Sequence, residues 1–455
     1  MAAGSGQTMP ESRHAGRTRG ARSFWVFSAV LLLAACGSGV GDDAPAQPAS
    51  GTFEPGTPAP GAAQPDTAQT DASDEKTDRA DAEEPRPTQF TIAGTGNLLI
   101  HGPVIDTAAA LAEPGDYSFA PLMEGVGDLI SGADLALCGL EVPIAPEGVE
   151  PSGYPVFAAP RELAGDLASV GFDGCSTANN HSFDQGTAGA ERTLDVFDEA
   201  GMGHAGTART EAEADRPQLY TVERGAREVT VAHVATTMLH NPDHRPQEDE
   251  LWRVADVTPQ ELTDQATQAR EDGADIVVAS VHWGDEYVDA PTEEQRKYGE
   301  QLAADGEIDV VFGSHSHTPQ PVEHLDGGPS GEGMWVVWSM GNFLSNQDEA
   351  CCVVETASGT VVYATVEVTE HEAQVTGMDW LPVTVDRGPT DEELHRGIWP
   401  LRELAEGDIP ERPELSATTV EDRWSRLLDV MTDQDLREHP PTPTGEEPTV
   451  VPRGD

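Results

Sequence analysis

The chain is 455 residues long and carries 81 acidic against 26 basic residues, a formal net charge of −55. A surface this acidic repels nucleic acid and anionic lipid headgroups, which argues against both as direct partners. The only lysines are Lys76 and Lys297, with arginine supplying the other cations, and for an acidic protein that acts on an anionic substrate a bound metal is the obvious source of local positive charge.

The N-terminus reads as an export signal. Arg13, Arg17, Arg19 and Arg22 form a positive region, followed by an apolar run over 24–33. That run is too short to cross a bilayer and has the length of a signal core. Leu33-Ala34-Ala35-Cys36 resembles a lipobox. Residues 1–36 are therefore expected to be a lipoprotein signal peptide, cut before Cys36, whose sulfur carries the lipid. Residues 37–87 are rich in Pro, Ala, Gly, Thr, Asp and Glu and nearly lack large apolar side chains. Such a segment cannot offset its chain entropy by burial and is expected to be a disordered tether. The expected location is the outer face of the cell membrane, with membrane contact through the lipid alone.

The next 350 or so residues suit one large α/β domain with an extension. Alternation predicts a strand over 88–95, and helical spacing predicts a helix over 117–130. A short apolar strand is expected over 134–138, a helix over 160–170, a strand over 172–177 and an amphipathic helix over 187–200. Residues 218–224 and 228–235 read as a hairpin around Gly225. Helices are expected over 258–272 and 292–304, and buried strands over 275–281 and 308–312. Strands without intervening helices follow over 334–340, 361–368 and 374–380. Apolar strands alternating with helices indicate buried, largely parallel β-structure, and the later helix-free strands indicate a mixed or second sheet. Residues 387–438 read as a helical extension, with helical stretches over 392–405 and 420–437. The Pro-rich acidic segment 439–455 is expected to be a disordered tail.

Polar residues gather where these strands end. The first strand runs into Asn97 and His101, the second into Glu141, and the third into Asn179, Asn180, His181 and Asp184. The strand before the helix at 292–304 ends in His282-Trp283-Gly284, and the next in Gly313-Ser314-His315-Ser316-His317. In α/β sheets the carboxyl ends of strands line the ligand crevice. A buried Glu141 or a run of adjacent amides is costly without partners. Histidine nitrogens with carboxylate and amide oxygens suit Zn, Mn or Fe, and one or two divalent ions are expected. With Cys36 lipidated, Cys138, Cys175, Cys351 and Cys352 form an even set that permits three disulfide pairings. Cys138 and Cys175 both lie at expected strand ends, where they could face each other.

Residues 171–186, 282–287, 313–317 and 339–343 resemble the signature motifs of the CapA (poly-gamma-glutamate synthesis) family, in the family's order, and the likeness runs from about 89 to about 385. The family is similar to calcineurin-like metallophosphoesterases. The resemblance implies an α/β fold, a two-sheet αββα sandwich, over 88–386. It implies a role in capsule or poly-gamma-glutamate synthesis or anchoring, with an anionic surface polymer or its phosphorylated precursor as partner. It implies His181 as general acid and Asn180 as a metal ligand. It places His282 and His315 on one ion, His317 on another with His101 beside it, and Glu141 supporting both. One departure stands out: the family's first motif usually reads Gly-Asp, whereas this chain has Gly96-Asn97. An amide oxygen coordinates without adding charge, so the His317 ion is expected to be held weakly. Alongside a phosphoesterase-like hydrolase, a non-catalytic metal-assisted polymer-binding module and a metal-dependent amidase for γ-glutamyl bonds remain open.

Overall fold

The computed structural model describes residues 88–388, 396–407 and 414–454. The expected signal peptide, Cys36 and the tether lie outside the described residues. In chain order the strands are β1 Thr88–Leu98, β2 Leu135–Leu140, β3 Gly174–Ser176, β4 Gly203–Ala205, β5 Gln218–Arg224, β6 Arg227–Thr237, β7 Ile276–His282, β8 Val310–Ser314, β9 Pro319–Leu325, β10 Met334–Met340, β11 Ser358–Val368, β12 Ala373–Asp386, β13 Gly397–Pro400 and β14 Thr449–Val451. The helices are α1 Gly102–Ala110, α2 Gly127–Ser131, α3 Glu162–Val170, α4 Gly186–Ala200, α5 Glu211–Ala214, α6 Pro259–Glu271, α7 Glu293–Asp305, α8 Leu401–Glu406 and α9 Ala417–Met431.

The strands form two seven-stranded mixed sheets. The first runs β13-β12-β11-β1-β2-β3-β4, with β1 to β4 parallel. The second runs β14-β5-β6-β7-β8-β10-β9, with β6, β7, β8 and β10 parallel. Side chains alternate across each pleat and so serve two cores. Phe90 and Ile92 of β1 face Val278 of β7, Val310 and Phe312 of β8 and Val337 of β10 between the sheets. Ala93 of β1 and Ala136 of β2 point the other way, toward Leu163 and Leu167 of α3 and Phe197 of α4. Val277 and Val281 of β7 point outward to Leu262 and Ala266 of α6 and Leu302 of α7. The result is helices, sheet, sheet, helices: the expected two-sheet αββα sandwich. Each large aliphatic side chain buried in these layers contributes roughly 1.5–3 kcal/mol.

Local signals fix the helices on the second sheet. Thr258 with Glu261 and Thr292 with Gln295 form capping boxes at the starts of α6 and α7. Gly306, at φ 81°, ends α7 in the left-handed conformation that glycine tolerates.

Several expectations are corrected. Residues 117–130 form a 3-10 turn over Ala120–Val126 followed by α2 rather than one helix, because Pro121 and Gly125 interrupt it and Trp399 packs where a Gly125 side chain would lie. Among the described residues of the stretch expected to be helical over 392–405, Gly397–Pro400 form β13, paired with β12 and burying Ile398, and α8 follows from Leu401. The described part of 387–438 packs onto the sheets, since Val420, Leu427 and Met431 of α9 join the core between them. β9 went unread because Pro319 and Pro321 argue against a strand, yet it lies at a sheet edge, where proline costs little. Nor are residues 439–454 a loose tail. Thr444 donates to the buried carboxylate of Asp134 (2.6 Å), which also holds Arg224 (2.5 Å). β14 extends the second sheet beside β5, and Arg453 donates to the carbonyls of His204, Thr207 and Glu213.

Candidate metal centre

The carboxyl ends of β1, β2, β3, β7, β8 and β10 meet at one edge of the sandwich. The two sheets are tied there directly. The Asn97 amide donates to Gly341 O (3.0 Å), and the Phe343 amide donates to Asn97 O (2.9 Å). Gly96 is required at this crossing, because a Cβ on it would lie 2.1 Å from Gly341 O. Gly341 holds a φ of 69°, which favours glycine again.

His315 and His317 follow β8 with φ of 96° and 58°. Left-handed backbone is unfavourable for such residues and marks functional sites when the surroundings enforce it. Here the two bends turn rings two positions apart toward the same point. His282 Nε2 lies 3.1 Å from His315 Nδ1, 2.9 Å from Asn180 Oδ1 and 3.8 Å from Glu141 Oε1. His282 Nδ1 is 3.0 Å from Ser314 Oγ; a proton donated there leaves the Nε2 lone pair facing the cluster. On the other side of Glu141, His317 Nε2 lies 3.7 Å from the same carboxylate oxygen. His317 Nδ1 lies 3.0 Å from Asn342 Oδ1 and 3.1 Å from Asn97 Nδ2.

Glu141 is 2% exposed, and neither of its oxygens has a hydrogen-bond partner among the described residues. Burial pushes its carboxyl well above the usual range, and the charges of Glu286 and Asp184 add to this. Burial also lowers the surrounding imidazoles, His315 to about 4 and His317 to about 3, with neighbouring rings adding repulsion. His282 is also held well below the usual imidazole range, chiefly by burial, with His315, His317 and His181 adding repulsion. The contacts to Glu141 are therefore not ion pairs, because the rings are neutral. Acceptor atoms crowded about a buried carboxylate are unfavourable until a cation joins them. Glu141, His282 and His315 each offer a ligating atom within 4.8 Å of the others. The donor set of imidazole, carboxylate and amide oxygen fits a divalent transition ion.

His181 stands beside this cluster. Its Nδ1 is 2.8 Å from Asp184 Oδ2 and 3.2 Å from Asn241 Nδ2, and its ring meets Phe157 edge-on at 4.8 Å. A proton on Nδ1 shared with Asp184 leaves Nε2 available for proton transfer. Asp184 is pinned in turn by the Phe157 amide at 2.8 Å. Asn179 is structural: it donates to Leu140 O and accepts from the His181 amide, fixing the loop. His101 turns its Nδ1 to Leu99 O (2.9 Å) and the Asn346 amide (3.2 Å), and its ring meets Phe157 edge-on at 5.5 Å. The structure thus gathers Glu141, Asn180, His282, His315 and His317 and sets Asn97 and His101 at their margin.

Asn342, Asn241, Asp184 and Ser314 carry contacts that the sequence reading assigned to no role. Asn342 sits in the Ser339–Phe343 motif and Asp184 three residues after His181, so both had a signal; Asn241 had none. Cys138 and Cys175, register partners on β2 and β3, are disulfide-bonded with Cα atoms 4.3 Å apart, whereas Cys351 and Cys352 are free.

Comparison with known proteins gives a consistent result. The family described as bacterial capsule synthesis protein PGA_cap matches residues 91–347. The chain is 27% identical over 187 residues to the PGA biosynthesis protein CapA of Bacillus subtilis, covering 41% of this chain and 46% of that protein. It is 29% identical over 206 residues to a probable polyglutamine synthesis accessory protein of Mycobacterium tuberculosis, covering 44% of this chain and 54% of that protein. The chain thus spans about half the length of the curated relatives it matches. Among solved structures, the calcineurin-like phosphoesterase YfkN from Bacillus subtilis superposes with a TM-score of 0.41 at 14% identity, covering 75% of this chain and 98% of that one.

Proposed function

Since the chain belongs to the bacterial capsule synthesis protein family PGA_cap, we propose that it is a metal-dependent, phosphoesterase-like hydrolase that serves the synthesis or anchoring of an anionic surface polymer. The observation that carries this reading is the Glu141 carboxylate, buried without a partner among three neutral imidazoles. Glu141, Asn180, His282 and His315 would hold one divalent ion. His317, with Asn97 and Asn342, borders a second position across Glu141. Such ions polarise a phosphoryl oxygen and activate water as a nucleophile. His181 is the residue placed to give a proton to the leaving oxygen, and Asp184 orients its ring. We place the protein outside the cytoplasm, held by lipid on Cys36, on the strength of the Arg-rich, apolar and lipobox run at its start.

The test is metal analysis of purified protein together with turnover of a chromogenic phosphodiester and of a γ-glutamyl peptide. Bound metal with phosphodiester cleavage supports the reading, and cleavage of the peptide alone would redirect it to an amidase. Metal-free, inert protein would overturn both. A second reading, metal-assisted polymer binding without turnover, is favoured by the two amides beside His317, where a carboxylate would add charge. Bound metal and polymer retention without cleavage of either substrate would select it.

A further inference from the structure

Cys351 and Cys352 sit on a turn that follows the loop from Phe343 to Asp348. Both of their amides, at 3.2 and 3.0 Å, and the Cys351 thiol, at 3.5 Å, donate to the Asp348 carbonyl. Cys351 is exposed and Cys352 partly buried. The Cys352 thiol lies close enough to the Cys351 thiol and the Tyr287 hydroxyl to interact with both. Tyr287 is held at φ 66°, its amide donates to Ser316 O (2.8 Å), and its ring lies 6.0 Å from that of His317. The loop that leads into the turn also touches the site: the Asn346 amide donates to His101, and Gln347 Oε1 accepts from Asn342 (3.0 Å). The two adjacent thiols are thus coupled to the His317 side of the cluster from two directions.

We propose that Cys351 and Cys352 form a redox modification site, closing to a vicinal disulfide that resets Tyr287 and with it the His317 side of the metal centre. The effect on metal rests on the proposed metal reading; the closure itself does not. The oxidant is a low-molecular-weight disulfide. The exposed Cys351 attacks one of its sulfurs as the thiolate and releases one thiol. Cys352 then displaces the second thiol from the mixed disulfide. One S–S bond forms in the protein, one breaks in the oxidant, and the two protein thiol protons leave with the two released thiols. Closure draws the Cys352 sulfur toward Cys351 and changes its contact with the Tyr287 hydroxyl. The Cys138–Cys175 bond, 3% and 0% exposed, is out of reach of mild reagents, so the turn is addressed selectively.

The experiment compares reduced protein with protein treated with oxidised glutathione, using disulfide mapping, zinc affinity and amide hydrogen exchange over 284–290. The Cys351→Ser/Cys352→Ser double variant is the control. A mapped 351–352 disulfide, a severalfold change in zinc affinity and altered exchange, all absent from the double variant, are expected. A stable glutathione adduct or an intermolecular link in place of the 351–352 bond overturns the proposal, as does closure that changes neither zinc affinity nor exchange. If neither redox form binds zinc, the metal reading fails by itself and the exchange over 284–290 decides the switch.

Discussion

Asn97 Nδ2 lies 3.1 Å from His317 Nδ1, so an amide occupies the margin of the cluster where a carboxylate would strengthen a cation site. The Asn97→Asp variant is expected to bind the His317-side ion about tenfold more tightly, near 1.4 kcal/mol. Metal stoichiometry and competition titration check this. Unchanged affinity would show that the ion does not sense position 97.

Glu141→Gln should remove tight metal binding while leaving the metal-free fold at least as stable as the parent. In the metal-free chain the buried carboxyl has no partner, so replacing it with a neutral amide relieves a cost. Thermal melts with and without chelator test both halves. A large loss of stability in the metal-free variant would mean that Glu141 is structural.

His181→Asn and Asp184→Asn are expected to lower phosphodiester turnover by about 10²-fold or more with metal content unchanged, as for loss of a general acid or of its orienting partner. Equal losses of metal and rate would instead make His181 a ligand.

Much of this arrangement is legible in the sequence. The strand-end clusters predict that Glu141, Asn180, His282, His315 and His317 converge, because buried parallel strands deliver their carboxyl ends to one edge. Asn241 is not legible, since it lies in an irregular loop with no periodicity or motif. Spacing along the chain does not reveal that the Nδ1 of His101 is engaged by Leu99 O and the Asn346 amide, which leaves Nε2 as the ring nitrogen that could ligate. β13, β14 and the 439–454 segment were missed for a common reason. Their partners are far away in sequence, and composition alone cannot show that Asp134 and Arg224 wait for Thr444.

That buried pair gives a stability prediction. Arg224→Ala should cost about 3–5 kcal/mol by stranding the Asp134 carboxylate. Ending the chain at 438 should also destabilise, through loss of Thr444 and of the Arg453 contacts. Denaturant unfolding measures both, and a neutral truncation would contradict the ordered C-terminal segment.

Asp173 gives the pH dependence. Burial raises its carboxyl to about 7, against the lowering effect of the Ala136 amide and with a further rise from Glu447. The folded state therefore holds a proton that the unfolded chain releases near pH 4. Stability from this group is complete below about pH 4 and falls as the pH rises toward 7. Asp173→Asn should accordingly stabilise the protein at pH 8, by on the order of 2–4 kcal/mol, and do little at pH 4. Unfolding curves at the two pH values decide it.

The bonds joining Asn97 to Gly341 and Phe343 have a thermodynamic corollary. A cation lodged beside this seam draws ligands from both halves of the sandwich, so its affinity and the cohesion of the halves are a single linked equilibrium. At a free-ion concentration a hundred times the dissociation constant, that linkage adds about 2.7 kcal/mol to the folded state. Where the ion is scarce, the seam would be the first part of the molecule to breathe.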